Sequence, residues 1–392
     1  MDTLRRNIRE LDFTLLGVLF LLAVYSCVAL LAATYGKTGG DIPTHVVPKQ
    51  ILFEVLGLIA LGFMAAYDYR SLRKIRWWLY GGTVFLLLAV FAMPAHQGAH
   101  SWIPLKLFSL QPSEFAKLIL IIVVAAHMAN VDESEFSDYS IRNTWQIWAL
   151  LAVPFALILK EPALGQALVL VAITLFMYMV FIRRWQFVLI VSIVVLAVVG
   201  MGVAVTQFPQ ESRTFIENIL LKHHVLKPFQ AARIITWLDP TYQPLQAGFN
   251  VHQAQIAVGS GQVFGEGLFN GIETRGGWVP NQWNDYIFTA VGEEFGFVGS
   301  SGLVLLFLIM ILRLVRMAGT SQDTFGTYLI MGIVGMFAFQ TFENIGMDMY
   351  LSPSTGITLP FISYGGSSLI ANYIAIGLAI SVSLRRKKLR FS

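Results

Sequence analysis

The sequence predicts an all-α polytopic membrane protein of ten transmembrane helices, with a large extracytoplasmic loop between helices seven and eight. Two observations carry that prediction. Charged residues are only 13% of the 392, against about 25% in an ordinary globular chain, while Phe alone occurs 29 times and mean hydropathy is +0.66. So few charges cannot cover a water-soluble particle of this size, which excludes a soluble enzyme. The second observation is that apolar runs alternate with basic and non-basic connections along the chain.

A helix needs about 20 mostly apolar residues to cross the hydrocarbon core. Phe13 to Thr34 carries no charge and forms the first span; its apolar stretch is longer than that of a signal peptide, so a retained helix is expected. Gln50 to Tyr67 is the second, interrupted by Glu54, for which a span end near water is the expected setting. Trp77 to Met93 is the third, and Ser113 to Ala129, with Glu114 and Lys117, the fourth. Trp145 to Leu159 and Leu164 to Val180 form a close pair around Lys160-Glu161-Pro162. Phe187 to Thr206 follows, then Phe295 to Arg313, Phe325 to Ile345 and Gly366 to Leu384.

The connections orient this set. Arg5, Arg6 and Arg9, then Arg70, Arg73, Lys74 and Arg76, then Arg142, Arg183 and Arg184, Arg313 and Arg316, and the tail from Arg385 to Arg390 fall on alternate connections. The short intervening connections hold only Lys37, Lys49, Lys106 and Lys160. By the positive-inside rule both termini are cytoplasmic, and the net charge of +4 is a topology signal rather than a nucleic-acid patch. The single Cys27 excludes an intrachain disulfide and a cysteine metal cluster, and it reads as a packing residue. Residues 1–392 are expected to form one transmembrane unit, with residues 207–294 as its outer loop. That loop is too rich in Trp and other aromatics for disorder, so chemistry is expected there.

Ionisable groups at membrane depth point to function. Glu114 and Lys117 lie three apart on one helix face, as a self-neutralising pair or as the polar floor of an outward cavity. Glu343 with Asn344, and Glu54, are further buried polar candidates. Asp285, in Asn284-Asp285-Tyr286, is either a helix N-cap or, between Trp283 and Tyr286, a carboxylate with raised pKa able to act as a base. The glycines at 259, 261, 265 and 267 have the wrong spacing and setting for a dinucleotide loop. They suit tight turns or close backbone approach to a ligand.

Four phrases, taken in order over essentially the whole chain, resemble one family. They are Gln97 to Trp102 with Gln111-Pro112-Ser113-Glu114 and Lys117; Arg233 with Asp239-Pro240, Gly248, Gln253 and the Gly259–Gly267 stretch; Asp285 to Phe288 with Gly292-Glu293-Glu294-Phe295-Gly296; and Pro360 to Ser368. The chain is similar to the SEDS family (shape, elongation, division and sporulation). That resemblance implies a peptidoglycan glycosyltransferase in the bacterial cytoplasmic membrane. Such enzymes polymerise lipid II at the outer face with a class B penicillin-binding protein as partner.

On this resemblance Asp285 matches the essential loop aspartate. Glu114, Lys117, Arg233, Trp102, Glu293, Glu294 and Ser363 stand as substrate-binding or supporting residues. The implied reaction is one inverting displacement, with a polyprenyl diphosphate leaving. Such a leaving group calls for positive charge, from Arg233, Lys222, Lys227 or Arg275, or for a divalent metal. No cofactor is otherwise implied, and membrane lipid but no nucleic acid is expected as a partner. Two positions depart from the family pattern. Gln-Pro-Asp-Leu-Gly-Thr is here Glu161-Pro162-Ala163-Leu164-Gly165-Gln166, and the Arg before the first-loop Trp is here Ser101. The first departure and the compact termini resemble a rod-shape, RodA-like member, so lateral elongation is expected, with division or sporulation as the alternative. A lipid II flippase and a non-catalytic scaffold are competing functions.

Overall fold

The computed structural model describes residues 11–36, 45–93, 101–104, 109–133, 141–161, 163–182, 188–189, 192, 196, 200, 228–238 and 248–385. Helices α1 (Phe13–Thr34), α2 (Val46–Ala66) and α3 (Tyr69–Val90) are followed by a short antiparallel ladder, β1 (Ile103–Pro104) against β2 (Ser109–Leu110). Then come α4 (Pro112–Asp132), α5 (Ile141–Lys160) and α6 (Leu164–Phe181). Three helices, α7 (Pro228–Leu238), α8 (Phe249–Ser260) and α9 (Ile272–Gly276), precede the long α10 (Ile287–Gly319), α11 (Thr324–Asp348) and α12 (Gly366–Leu384).

Among the described residues seven helices are long and apolar enough to cross a membrane: α1, α2, α4, α6, α10, α11 and α12. The apolar part of α5, Thr144–Lys160, is shorter. The seventh span predicted from the sequence, Phe187 to Thr206, lies outside the described residues except at isolated positions. Helix α3 starts at Tyr69, well before Trp77, because its basic first turns are themselves helical and find partners. Asp68 accepts from the Arg70 amide (3.0 Å), Arg70 pairs with Asp323 (3.0 Å), and Arg73 pairs with Glu133 (2.6 Å). With Asp12–Arg313 (2.7 Å) these contacts lace the basic ends of the helices together. Each such exposed pair adds only about 0–1 kcal/mol.

Glycines let the central helices close. A Cβ at Gly57 of α2 would stand 2.1 Å from the Tyr373 ring of α12, and one at Gly332 of α11 would stand 2.8 Å from Ile121 of α4. Without a hydrophobic force between helices in lipid, such close van der Waals packing is what holds them. Glu54, on the same face of α2, is 6% exposed and accepts from the Tyr373 hydroxyl. It is therefore a buried interhelix contact and not a wet span end, because α2 packs along α12 at that depth. One turn away Gln50 donates to Ser26 (3.0 Å), which donates to the Ile362 carbonyl (3.0 Å).

The segment that carries α8 and α9 is built on a break in α10. Gly296 has φ +62° and ψ −160°, dividing the helix where the eighth span was predicted to begin. Against this break lies the glycine stretch. A Cβ at Gly261 would be 1.9 Å from the Gly292 carbonyl oxygen and one at Gly265 2.2 Å from that of Glu294. Backbone bonds Glu266 N–Glu293 O (2.9 Å), Gly267 N–Glu294 O (3.2 Å) and Phe297 N–Gln262 O (2.9 Å) close the contact. Gly261 and Gly265 thus admit another backbone of the same chain, while a Cβ at Gly259 would meet nothing within 4 Å.

Glu293, fully buried, then gathers the following loop, accepting from the Glu273 amide (2.7 Å), the Thr274 amide (2.9 Å) and the Thr274 hydroxyl (2.5 Å). Glu294 accepts from the Phe269 amide (3.1 Å). Replacing Glu293 by Ala leaves these donors buried and unpaired, at about 1–3 kcal/mol each. Amide exchange at residues 271–277 should rise steeply; unchanged protection there would contradict the clamp. Gly57→Ala should lower the thermal midpoint in detergent, by overpacking worth about 1–3 kcal/mol, and an unshifted midpoint would count against the contact.

Candidate active site

Asp285 stands at the entry to α10, but it is not the N-cap. Tyr286 holds that position and makes no side-chain cap. The backbone of Asp285 is pinned instead by residues beyond the α10–α11 turn. Asn344 of α11 donates to the Asp285 carbonyl (2.7 Å) and also to that of Ile357 (2.7 Å). Ser363 donates to the Asn284 carbonyl (2.7 Å), and the Tyr364 amide donates to that of Trp283 (2.9 Å). Three consecutive carbonyls are therefore held by α11 and by the buried loop between α11 and α12.

That loop also shapes the space in front of the carboxylate. Gly356 has φ +71°, and a Cβ there would meet Asp285 Oδ2 at 3.2 Å and Arg233 Nη1 at 3.6 Å. Acid and guanidinium thus flank the same bare stretch of backbone. Arg233, on α7, donates to the Ser354 carbonyl (3.4 Å), and the Ser354 hydroxyl is bonded to that of Tyr286 (2.7 Å). Tyr350 donates to the Thr236 carbonyl and ties α7 to the same loop. Glu343 folds the loop from below by accepting from Thr355 (2.9 Å). The sparsely hydrated surroundings push the Asp285 carboxyl up to about 6, and Arg233 pulls the other way.

A chain of buried hydrogen bonds links this point to the Glu293 clamp. Gln282 donates to the Thr274 hydroxyl (2.9 Å) and to that of Thr289 (3.0 Å), and Thr289 donates to the Tyr286 carbonyl (2.6 Å). Glu293 and Glu294 thus hold the segment around α9, and Ser363 holds the residue before Asp285.

The other predicted residues make contacts of their own. Glu114 and Lys117 form an ion pair of 2.6 Å with both side chains 1% exposed, and Gln166 donates to Glu114 (2.7 Å). Self-neutralisation accounts for that geometry. Trp102 is half-buried just before β1, and its hairpin is tied to the α12 end by Ser367, which donates to the Ser109 carbonyl (2.8 Å). Ser101 donates to the Glu161 carbonyl (3.4 Å). Glu161 is fully buried, and burial pushes its carboxyl up to about 8, with Ser101 acting in the opposite direction. It stands two residues before Ala163, which begins α6 without a side-chain cap. Lys222, Lys227 and Asp239 lie outside the described residues.

Local sequence did not point to Ser354 or Gly356, whose part in the site comes from backbone contacts and a missing side chain. Among the described residues no three His, Cys, Asp or Glu side chains gather as a metal site.

Known proteins share this sequence and fold along most of the chain. The family model described as Cell cycle protein, covering FtsW, RodA and SpoVE, matches residues 10–388. The chain is 32% identical to a probable peptidoglycan glycosyltransferase FtsW of Geobacter metallireducens, over 93% of this chain and 90% of that one. It is 29% identical to the peptidoglycan glycosyltransferase RodA of Treponema pallidum, over 97% and 99%. A solved structure described as the structural coordination of polymerization and crosslinking by a peptidoglycan synthase complex superposes with TM-score 0.74 at 26% identity, over 96% of this chain and 98% of that one. A helical bundle of this hydropathy, matched along its length, is a multi-pass membrane protein, and the chain belongs to the FtsW, RodA and SpoVE family.

Proposed function

We propose that this chain is a peptidoglycan glycosyltransferase that joins lipid II units into glycan strands at the outer face of the bacterial cytoplasmic membrane. The observation that carries the proposal is Asp285: a carboxyl with a raised pKa on a pinned main chain, facing a cation across a bare glycine. The names of the relatives support it.

In the proposed reaction the acceptor's 4-hydroxyl attacks the anomeric carbon of the donor as Asp285 takes the hydroxyl proton. A new glycosidic C–O bond forms while the bond to the diphosphate breaks, and the leaving group departs with the electron pair. The α-linked donor becomes a β-linked product in one inversion. A diphosphate is already a good leaving group, so no second carboxylic acid is needed to protonate it, unlike in glycosidases. What it needs is positive charge, which Arg233 brings to the same space.

The finer features of the proposal are ten spans, both termini cytoplasmic and residues 207–294 outermost. A class B penicillin-binding protein is the proposed partner, consistent with the synthase complex among the structural relatives. Lateral elongation is the proposed role.

Asp285→Asn keeps the size and removes the base. Purified with its partner, this variant should make less polymer from labelled lipid II by about 100-fold or more, while still inserting and binding the partner. Full polymer yield would overturn the catalytic assignment. The pH dependence follows from the raised pKa. The carboxylate, the form that accepts a proton, is populated above about 6 and lost as pH falls through that value. Polymerisation per unit lipid II should therefore fall about tenfold per pH unit below about 6. A rate held constant down to the pKa of an ordinary aspartate would exclude Asp285 as the base.

A further inference from the structure

The arginines in the first turns of α3 are matched by acids with one exception. Arg70 takes Asp323, which also accepts from Tyr69 (2.7 Å), and Arg73 reaches both Glu133 and Asn130 (2.6 Å each). Asp132 accepts from Tyr328. Arg76 follows Arg73 by one turn, and no carboxylate among the described residues pairs with it. Its guanidinium donates to the Arg73 carbonyl (3.0 Å) and lies over the Trp77 ring, 5.6 Å from the centroid.

Arg73, near the start of α3, meets Asn130 near the end of α4. The two helices therefore run antiparallel there, and Arg76 stands level with His127, one turn earlier in α4. The charge of Arg76 reaches that ring, and His127 Nε2 is buried without a hydrogen-bond partner. A guanidinium and an imidazole nitrogen thus stand side by side at the basic end of the bundle, and no described carboxylate is paired with either.

The apolar part of α3 beside them is bare where it could be packed. Trp77, Gly81 and Phe85 follow one another at one-turn intervals and form a single stripe. Trp77 is 56% and Phe85 69% exposed, and a Cβ at Gly81, or at its neighbour Gly82, would meet nothing within 4 Å. Tyr80 donates to the Leu150 carbonyl of α5 (2.9 Å) and packs edge-on against Trp77 (6.3 Å), which holds that ring in place. Glycine inside a helix is costly relative to alanine. Gly57 and Gly332 offset that cost by letting helices close, whereas Gly81 admits no part of the chain. It leaves a notch between two exposed aromatic rings, within the third span expected from the sequence.

We propose that this end of α3 and α4 binds one anionic phospholipid, with its phosphate on Arg76 and His127 and one acyl chain laid along Gly81 between Trp77 and Phe85. Arg76 offers its remaining N–H groups to the phosphodiester oxygens, and His127 offers one more in the tautomer protonated at Nε2. The headgroup's charge supplies the counterion that Arg76 lacks. A lipid fits better than free phosphate because the cation and the apolar notch adjoin on one helix, and a soluble anion would leave the notch empty. Asp285 takes no part in this site, and its test needs no polymerisation assay.

The purified full chain in detergent is titrated with phosphatidylglycerol and with phosphatidylcholine of the same acyl chains, and the first bound lipid is followed by native mass spectrometry. Phosphatidylglycerol should bind about fivefold more tightly, as one basic group near an anionic headgroup allows. Arg76→Gln should bring phosphatidylglycerol down to the level of phosphatidylcholine. Gly81→Leu fills the notch without touching the headgroup, so it should weaken both lipids and keep the preference between them. Soluble glycerol 3-phosphate, which has no chain to bury, should bind at least about tenfold more weakly than phosphatidylglycerol. Equal binding of the two lipids by the wild type overturns the proposal, whether or not the variants fold. A folded Arg76→Gln protein that keeps the preference, or a folded Gly81→Leu protein that binds both lipids as the wild type does, overturns it as well. Glycerol 3-phosphate bound as tightly as the lipid would mark a phosphate site without a lipid, and would also overturn it.

Discussion

Three carbonyl oxygens in a row, those of Trp283, Asn284 and Asp285, accept from Tyr364, Ser363 and Asn344. A loop residue held through its main chain in this way has little freedom left, and its side chain inherits the direction. The donors come from α11 and from the loop that leads into α12, so the position of Asp285 is only as good as the packing of these two helices. That packing in turn depends on Gly332 against α4 and on Gly57 and Glu54 against Tyr373. Polar and glycine contacts deep in the bundle therefore act on the position of the carboxylate.

The same loop explains why the acid and the cation coexist without collapsing onto each other. Arg233 is engaged by the Ser354 carbonyl and Asp285 is held by its backbone, with Gly356 between them. A side chain at 356 would fill the gap that a ligand's polar groups require. Burial raises the basicity of the carboxylate and Arg233 moderates that rise. The balance leaves a group ionised at neutral pH yet more basic than an exposed aspartate, which is the compromise a general base needs.

Hydropathy and the distribution of Arg and Lys made the helices legible, because membrane thickness and the cost of charge act on sequence directly. The predicted start at Phe295 fell one residue from the break at Gly296, since that break is where the apolar run begins. Asp285 was legible as a candidate, but its competing role as an N-cap was not removable by periodicity. What removes it is the start of α10 itself, where Tyr286 rather than Asp285 takes the N-cap position. Glu293 and Glu294 were visible as carboxylates, while their partners, the amides of residues 269, 273 and 274, carry no side-chain signature. Gly356 matters for what it lacks, and its meaning exists only once Asp285 and Arg233 face it.

Ser101 and Ala163 show charge being absent from one flank of the bundle rather than balanced there. The Ser101 hydroxyl donates to the Glu161 carbonyl, two residues before Ala163, so the first hairpin and the start of α6 are joined through a neutral contact. Burial pushes the Glu161 carboxyl up to about 8, with Ser101 opposing the rise. On the proposed reading the charge that meets a diphosphate therefore comes from Arg233, which faces the same Gly356 backbone as Asp285.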